Sequence, residues 1–152
     1  MKLFVRRYDE LSPDELYAMV RLRVAVFVVE QHCPYQELDG RDQAAIHVWL
    51  QDKEGIAAYL RVMDRGVESG PVSIGRVIAA RRRQGLGSRV MREGIRAARA
   101  HSHADSIYLE AQVYAKPFYE QLGFRQVSGE FLEDGIPHIQ MLLDPIEQEE
   151  SQ

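Results

Sequence analysis

Apolar residues recur along this chain in two rhythms, one suited to helices and one to strands. Leu3 to Tyr8 reads as a first, edge strand. Ser12-Pro13-Asp14-Glu15 then opens a helix: serine caps, proline takes the first helical position, and Glu15 completes a capping box. Leu16, Met19, Val20, Arg23, Val24 and Phe27 continue as a stripe at helical spacing. The run Val24-Ala25-Val26-Phe27-Val28-Val29 is β-branched and suits a strand by propensity alone. Its phase with the preceding turns favours helix to about Phe27.

Glu30 to Ala45 is polar and acidic, with Cys33-Pro34 and Asp39-Gly40, and reads as a long loop or a short irregular helix. Loops of this length in compact domains are often functional. Ile46 to Gln51, a turn at Asp52-Lys53-Glu54-Gly55, and Ile56 to Met63 form a hairpin pattern. After a glycine- and charge-rich turn at Asp64 to Pro71, Val72 to Ala80 supplies the third strand of an antiparallel meander. Ser88 to Ala100 is helical. Leu86, Val90, Met91, Ile95 and Ala98 share one face, and Arg89, Arg92, Arg96 and Arg99 mostly share a solvated one. Ser106 to Val113 is a strand, parallel to Val72–Ala80 through a right-handed crossover. Lys116 to Leu122 is a short helix with Pro117 in its first turn and Gly123 ending it. Arg125 to Phe131 and His138 to Leu143 close the chain as an antiparallel pair joined through Glu133-Asp134-Gly135. The order β-α-β-β-β-α-β-α-β-β is that of an α+β fold around a mixed, mostly antiparallel sheet. It spans residues 1–143 as one domain, and the acidic tail Asp144–Gln152 is expected to be disordered.

Composition narrows the setting. At 152 residues, 45% hydrophobic and 28% charged, the chain has the size and balance of one soluble domain. No apolar run approaches the roughly 20 residues that span a bilayer. The apolar part of Met1–Arg7 is too short for a secretory signal. The single cysteine, Cys33, excludes an internal disulfide framework and fits a reducing cytosol, so a cytoplasmic protein without a membrane partner is expected. A net charge of −4 argues against nucleic acid as a partner. The cations gathered between Arg76 and Arg99 still leave room for a local anion site.

That site falls at Arg82-Arg83-Gln84-Gly85-Leu86-Gly87, between an apolar strand and a helix. The first N–H groups of a helix have no partner inside it, and the macrodipole makes that end partly positive, so a phosphate or pyrophosphate is the expected guest. Glycines at 85 and 87 let backbone approach ligand. No Gly-Lys-Ser/Thr follows, which excludes a Walker A loop, and the third glycine of a dinucleotide fingerprint is missing.

The same six residues resemble the Arg/Gln-x-x-Gly-x-Gly/Ala loop of the GNAT superfamily of N-acetyltransferases. Gln112-Val113-Tyr114-Ala115-Lys116-Pro117-Phe118-Tyr119-Glu120-Gln121-Leu122-Gly123-Phe124 resembles that superfamily's Asn-x-x-Ala-x-x-Phe-Tyr-x-x-x-Gly-Phe signature, with Gln112 in place of the usual Asn. Residues 22–42, Ile74-Gly75-Arg76-Val77-Ile78 and Glu133 to Ile139 are similar to its ElaA-like branch. The resemblance covers roughly residues 11 to 143. One departure is local. Family members usually place two more residues before the loop, whereas here Ala79-Ala80-Arg81 leads directly into Arg82.

The resemblance implies an enzyme that uses acetyl-CoA, without a metal, to acetylate a small-molecule or peptide amine by direct transfer. The expected fold is of GNAT type, a single domain with a splayed parallel strand pair flanked by helices. Pyrophosphate would lie on the N–H groups from Arg83 to Ser88, including Gln84, Gly85, Leu86 and Gly87, with Arg82 beside them. The pantetheine arm would bond like an added strand between the ends of the two parallel strands, at Val77, Ile78 and Ala79 and near Gln112. Tyr119 would be the general acid. On spacing alone a core tyrosine beside Phe118 is the favoured reading, and the resemblance reverses it; a phenol of pKa about 10 is matched to protonating a departing thiolate. The general base is left open among several residues; Glu110 stands beside Tyr119 as a catalytic candidate because it lies on the strand leading to the splay, where residues 110 and 112 share a face. Glu30, Asp39, Asp42, His47 and His138 are further candidates around the acceptor. The acids Glu30, Glu37, Asp39 and Asp42 either form a negative mouth for a cation or belong to a solvated, capped loop. Arg61 and Arg76, set within apolar strands, call for acidic partners, which the same loop could supply. A cofactor-binding sensor or assembly module without turnover is the alternative. The family occurs as monomers and dimers, so a homodimer is allowed.

Overall fold

A computed structural model of the chain describes residues 1–63, 72–80, 85–101 and 106–145. The Asp64–Pro71 turn, Arg81 to Gln84 of the glycine loop and residues 146–152 of the tail lie outside the described residues. Among those described, eight strands form one sheet: β1 (Lys2–Arg7), β2 (Ile46–Asp52), β3 (Gly55–Met63), β4 (Val72–Ala79), β5 (Ile107–Gln112), β6 (Arg125–Gln126), β7 (Phe131–Glu133) and β8 (Ile136–Leu143). Their order is β1-β2-β3-β4-β5-β8-β6, with β7 pairing on β8. All neighbours are antiparallel except β4 and β5, the mixed sheet with one parallel pair that the sequence pattern predicts.

Among the described residues, three α-helices accompany the sheet. α1 (Pro13–Arg23) starts as expected: Glu15 N–H donates to Ser12 Oγ at 3.0 Å, and Ser12 N–H to Glu15 Oε1 at 2.9 Å. The helix runs on past Phe27, but as a π-helical segment, Val24–Glu30. The wider turn shifts the phase of the valine run, so its side chains end half-buried or exposed. α2 (Leu86–His101) lays Leu86, Val90, Met91, Ala97 and Ala98 on Val48, Leu50, Leu60 and Val62. Gly94 permits this close approach, because a Cβ there would stand 2.6 Å from Leu60 Cδ2. Arg89, Arg92 and Arg96 face water, and Arg99 donates to Asp144 O at 3.2 Å. α1 packs on the other face, with its Met19 against Trp49 and Tyr59, and Phe4 stacks on Trp49 at 5.0 Å. α3 (Lys116–Gln121) follows β5 after one 3₁₀ turn, Val113–Ala115. Each fully buried side chain such as Leu50, Leu60 or Met91 contributes about 1.5–3 kcal/mol relative to exposure.

One strand reads differently from its pattern. The expected strand from Arg125 to Phe131 is broken into β6 and β7, both pairing with β8. Ser128 breaks it: its Oγ accepts from Gln140 N–H at 2.9 Å, taking the place of a ladder carbonyl, and Gly129 follows. The domain also holds Asp144, whose carboxylate meets Arg125 Nε at 2.8 Å. No helix among the described residues is long and apolar enough to cross a membrane.

Candidate active site

The parallel pair is brief. β4 and β5 match at Val72–Ile107 and Ser73–Tyr108, and share no ladder pair beyond. β5 keeps pairing with β8 to its end, through Gln112–His138. β4 keeps to β3, with Tyr59–Ile78 and Ala58–Ala79 in register and Ala80 N–H donating to Ala57 O at 2.8 Å. The two strands therefore diverge, each tied to its outer neighbour.

A bulge produces the divergence. Between Arg61–Gly75 and Tyr59–Ile78, β3 advances two residues and β4 three, so Arg76 and Val77 together oppose Leu60. Arg76 has φ +55°, a conformation costly for a side chain with a Cβ. The acidic loop holds it there. Arg76 Nε donates to Glu37 Oε2 at 2.8 Å and Nη2 to Glu37 O at 3.0 Å, and its guanidinium lies 5.4 Å from the Tyr35 ring centroid.

The same loop binds two further arginines. Arg23 is fully buried; its Nε donates to Glu37 Oε2 at 2.6 Å and its Nη1 to Asp42 Oδ1 at 2.8 Å. Arg61 donates from Nη1 to Asp42 Oδ1 at 2.9 Å and from Nη2 to Asp39 Oδ2 at 2.5 Å. Three carboxylates face three guanidiniums, so Glu37, Asp39 and Asp42 do not form a negative mouth. Burial works against ionisation of Asp39 and Asp42, but the guanidinium hydrogen bonds outweigh it and hold both carboxyls below the usual range. Arg61 Nε is the one fully enclosed side-chain polar atom among the described residues without a hydrogen bond.

His47 belongs to this structural core and not to an acceptor surface. It is wholly buried, with Nε2 3.0 Å from Asp42 O and Nδ1 2.7 Å from Tyr59 OH. A carbonyl only accepts, so Nε2 carries the proton and Nδ1 accepts from the Tyr59 hydroxyl. Burial lowers the imidazole pKa and keeps it neutral. Asp42 is likewise enclosed, and the placement of both residues removes them from contact with an acceptor. Glu30 lies exposed at the end of the π-helical segment, and Asp39 lies at the rim of the arginine cluster.

Other candidates converge on the splay. Gly85 has φ +68° and its carbonyl accepts from Arg89 N–H at 3.1 Å, which opens α2. Gly87 in the first turn stands against Ala79 and α3, since a Cβ there would lie 3.7 Å from Ala79 Cβ and 3.4 Å from the Phe118 ring. The end of β4, the first turn of α2 with Leu86, Gly87 and Ser88, and α3 thus meet at one place. Arg82, Arg83 and Gln84 lie outside the described residues. Tyr119 packs edge-on between Phe118 at 4.9 Å and Phe124 at 6.1 Å. Burial first, and the neighbouring Tyr114 second, push its phenol up to about 12.

On the α1 side, Glu110 accepts from Tyr108 OH at 2.8 Å. Gln112 and His138 are cross-strand partners, and His138 stacks on Phe131 at 6.1 Å while its Nδ1 donates to Ile136 O at 2.7 Å. The pattern of the sequence did not bring forward Arg23 as a site residue. It was legible only as a charge on an apolar helical stripe.

Comparison with known proteins agrees with this fold. Residues 9–145 match the family model described as an acetyltransferase (GNAT) domain. Protein ElaA of Escherichia coli K12 is 39% identical over 146 residues, covering 92% of this chain and 94% of ElaA. Its crystal structure superposes with a TM-score of 0.89, covering 94% of this chain and 99% of that one. An acyl-CoA N-acyltransferase from Pseudomonas aeruginosa superposes at 0.87 with 38% identity, covering 94% and 99% respectively. An aminoglycoside 6'-N-acetyltransferase solved with coenzyme A shares the fold, at TM-score 0.72 and 14% identity over 95% of this chain and 98% of that one.

Proposed function

The chain belongs to the GNAT acetyltransferase family, and from that premise we propose that it transfers the acetyl group of acetyl-CoA to a primary amine by direct attack in a ternary complex. The observation that carries the proposal is the splay of β4 from β5 at the Arg76 bulge, with the first turn of α2 at its mouth. The donor has a peptide-like arm and a pyrophosphate, and the two features match them in turn. Backbone groups of Val77, Ile78 and Ala79 would hold the arm, and Gln112 borders its far side. The N–H groups of Gly85, Leu86, Gly87 and Ser88 would hold the pyrophosphate, with Arg82, Arg83 and Gln84 completing the loop.

Glu110 would take a proton from the acceptor's ammonium. The amine nitrogen then attacks the thioester carbonyl carbon, the C–S bond breaks, and Tyr119 protonates the thiolate. Its raised pKa keeps Tyr119 a phenol across the neutral and mildly alkaline range, so it remains a proton donor there. Glu30 and His138 would border the acceptor. The lone free thiol of Cys33 is the feature that supports a cytoplasmic setting within this reading.

Titration calorimetry with acetyl-CoA tests the cofactor half of the reading. One-to-one binding is expected, weakened at least tenfold by Gly87→Leu, whose side chain would meet Phe118 and Ala79. Absence of binding by the folded chain would contradict it.

A further inference from the structure

Among the described residues, His32, Arg76 and Asp134 have positive φ without being glycine. His32 and Asp134 stand in turns, so Arg76 is the one that holds this conformation inside a strand. The faces of the sheet explain the bulge. Gly75 lies opposite Arg61 on the α1 side, and Ile74 opposite Val62 on the α2 side. In a regular ladder Arg76 would come next, opposite Leu60, and point into the apolar α2 core. The bulge gives that place to Val77, which packs on the core, and turns Arg76 to the α1 side. There it meets the buried Glu37. Arg23 of α1 and Arg76 of β4 hold Glu37 in the same way. Each donates Nε to Oε2, at 2.6 and 2.8 Å, and Nη2 to the Glu37 carbonyl, at 3.4 and 3.0 Å. Tyr35 OH donates to the other carboxylate oxygen at 2.5 Å. Arg23 is tied further by both oxygens of Asp42. Beyond Glu37, Arg76 has a 3.4 Å contact with Asp39 Oδ2 and the face of the Tyr35 ring. Glu37 is therefore the main anchor of the bulge, and it joins the bulge to α1.

We propose that Glu37 and Arg76 are positioning residues for the donor: by fixing the bulge they hold the end of β4 away from β5 and so set the affinity for acetyl-CoA. The proposal rests on the acetyltransferase reading. The acidic loop, whose charges read in the sequence as a mouth for the acceptor, thus serves the other substrate. A register shift of one residue turns every later side chain of a strand to the opposite face. Val77, Ile78 and Ala79, the residues that would hold the pantetheine arm, are the ones that follow the bulge. Positive φ at a residue with a Cβ lowers its population by about five- to thirtyfold. Two features of Arg76 offset that strain. Its guanidinium is bonded to Glu37, and it would be unpaired in the apolar core if the bulge were undone. Leucine at 76 lacks both: it needs no acid, and it can fill the place of Val77 opposite Leu60. Glycine at 76 keeps the bulge for a different reason. It accepts φ +55° without strain and has no side chain to replace Val77 in the core.

Titration calorimetry of the full chain with acetyl-CoA tests the inference. Arg76→Leu should weaken binding by about tenfold or more, while Arg76→Gly should stay within about threefold of wild type. Both variants lose the same hydrogen bonds to Glu37, so their thermal melts should fall alike and affinity alone should separate them. Glu37→Gln should weaken binding in the wild-type chain and have no further effect on affinity in Arg76→Gly, where the backbone needs no anchor. This second comparison decides the matter if Arg76→Leu does not fold. In CoA release with a panel of primary amines, the loss in Glu37→Gln should appear in KM for acetyl-CoA more than in kcat. Equal affinities of folded Arg76→Leu and Arg76→Gly, or an equal effect of Glu37→Gln in both backgrounds, would overturn the positioning role and leave the transferase reading standing. Absence of acetyl-CoA binding by the folded wild-type chain would overturn that reading itself.

Discussion

Replacing Arg23 with Met removes one guanidinium from a set of three cations and three anions whose centre, Arg23, Glu37, Asp42 and Arg61, is buried. Glu37 keeps Arg76 at 2.8 Å and Asp42 keeps Arg61 at 2.9 Å, but the enclosed cluster is left with one uncompensated negative charge. Tyr59 OH also loses its donor at 3.3 Å. Breaking a buried ion pair by deleting one partner costs about 3–5 kcal/mol, because the remaining charge has neither water nor counterion. Each kcal/mol moves Tm by about 2–4 °C in a domain of this size, so Tm should fall by about 6–20 °C. Arg23→Lys should fall between wild type and Arg23→Met, since it keeps the charge and loses the fork that reaches both acids. Equilibrium urea unfolding and thermal melts at low and high salt are the assays. The loss should persist in high salt, because enclosed charges are poorly screened. Arg125→Ala, which breaks an exposed pair with Asp144, should leave the melt unchanged. An Arg23→Met variant that melts within 2 °C of wild type, at about the precision of such a scan, would refute the claim that this cluster anchors the loop.

Acid should unfold the protein in two stages. His47 is held neutral by burial, so below about pH 6.5 the unfolded chain binds a proton that the folded chain does not, and stability falls. Asp39 and Asp42 have depressed folded pKa values, so their contribution is present above about pH 4 and is lost as pH drops through the folded values. Glu133, with a raised folded pKa, loses stability as pH rises from about 4.5 to 7; urea midpoints are therefore best compared in Glu133→Gln, where a flat profile from pH 7 to 3 would contradict the assignment. Tyr119→Phe should lower kcat about 10²-fold or more while leaving acetyl-CoA affinity within twofold, and unchanged turnover across pH would remove Tyr119 from the acid role. Gly87→Ala should bind acetyl-CoA nearly as wild type, since its Cβ meets only ordinary contacts, so a large loss there would show that the first turn of α2 is read wrongly.

The fold was legible where each element obeys one rhythm. The capping box at Ser12, the arginine-and-alanine helix with its single apolar face, and the Asp-Gly turn each appear as their local chemistry dictates. What escaped depends on contacts between distant segments. Ser128 interrupts a plausible strand by bonding Gln140, twelve residues away. Val24–Glu30 keeps to a helix against its β-branched propensity but takes the π form, which no spacing rule announces. The need of Arg61 and Arg76 for acids was readable from charges placed in apolar strands, and the acidic loop supplies them. The same reasoning stops short of Arg23, because a helical stripe does not tell which of its charges turns inward.

The direct test of the account is acetyl transfer itself. Incubation of the purified chain with acetyl-CoA and a panel of primary amines near pH 8 should release CoA thiol in step with an amine product heavier by one acetyl group, in a reaction that leaves no acetyl group on the protein. Binding of acetyl-CoA with neither thiol release nor acetylated amine across the panel would contradict it and leave a cofactor-binding module in its place.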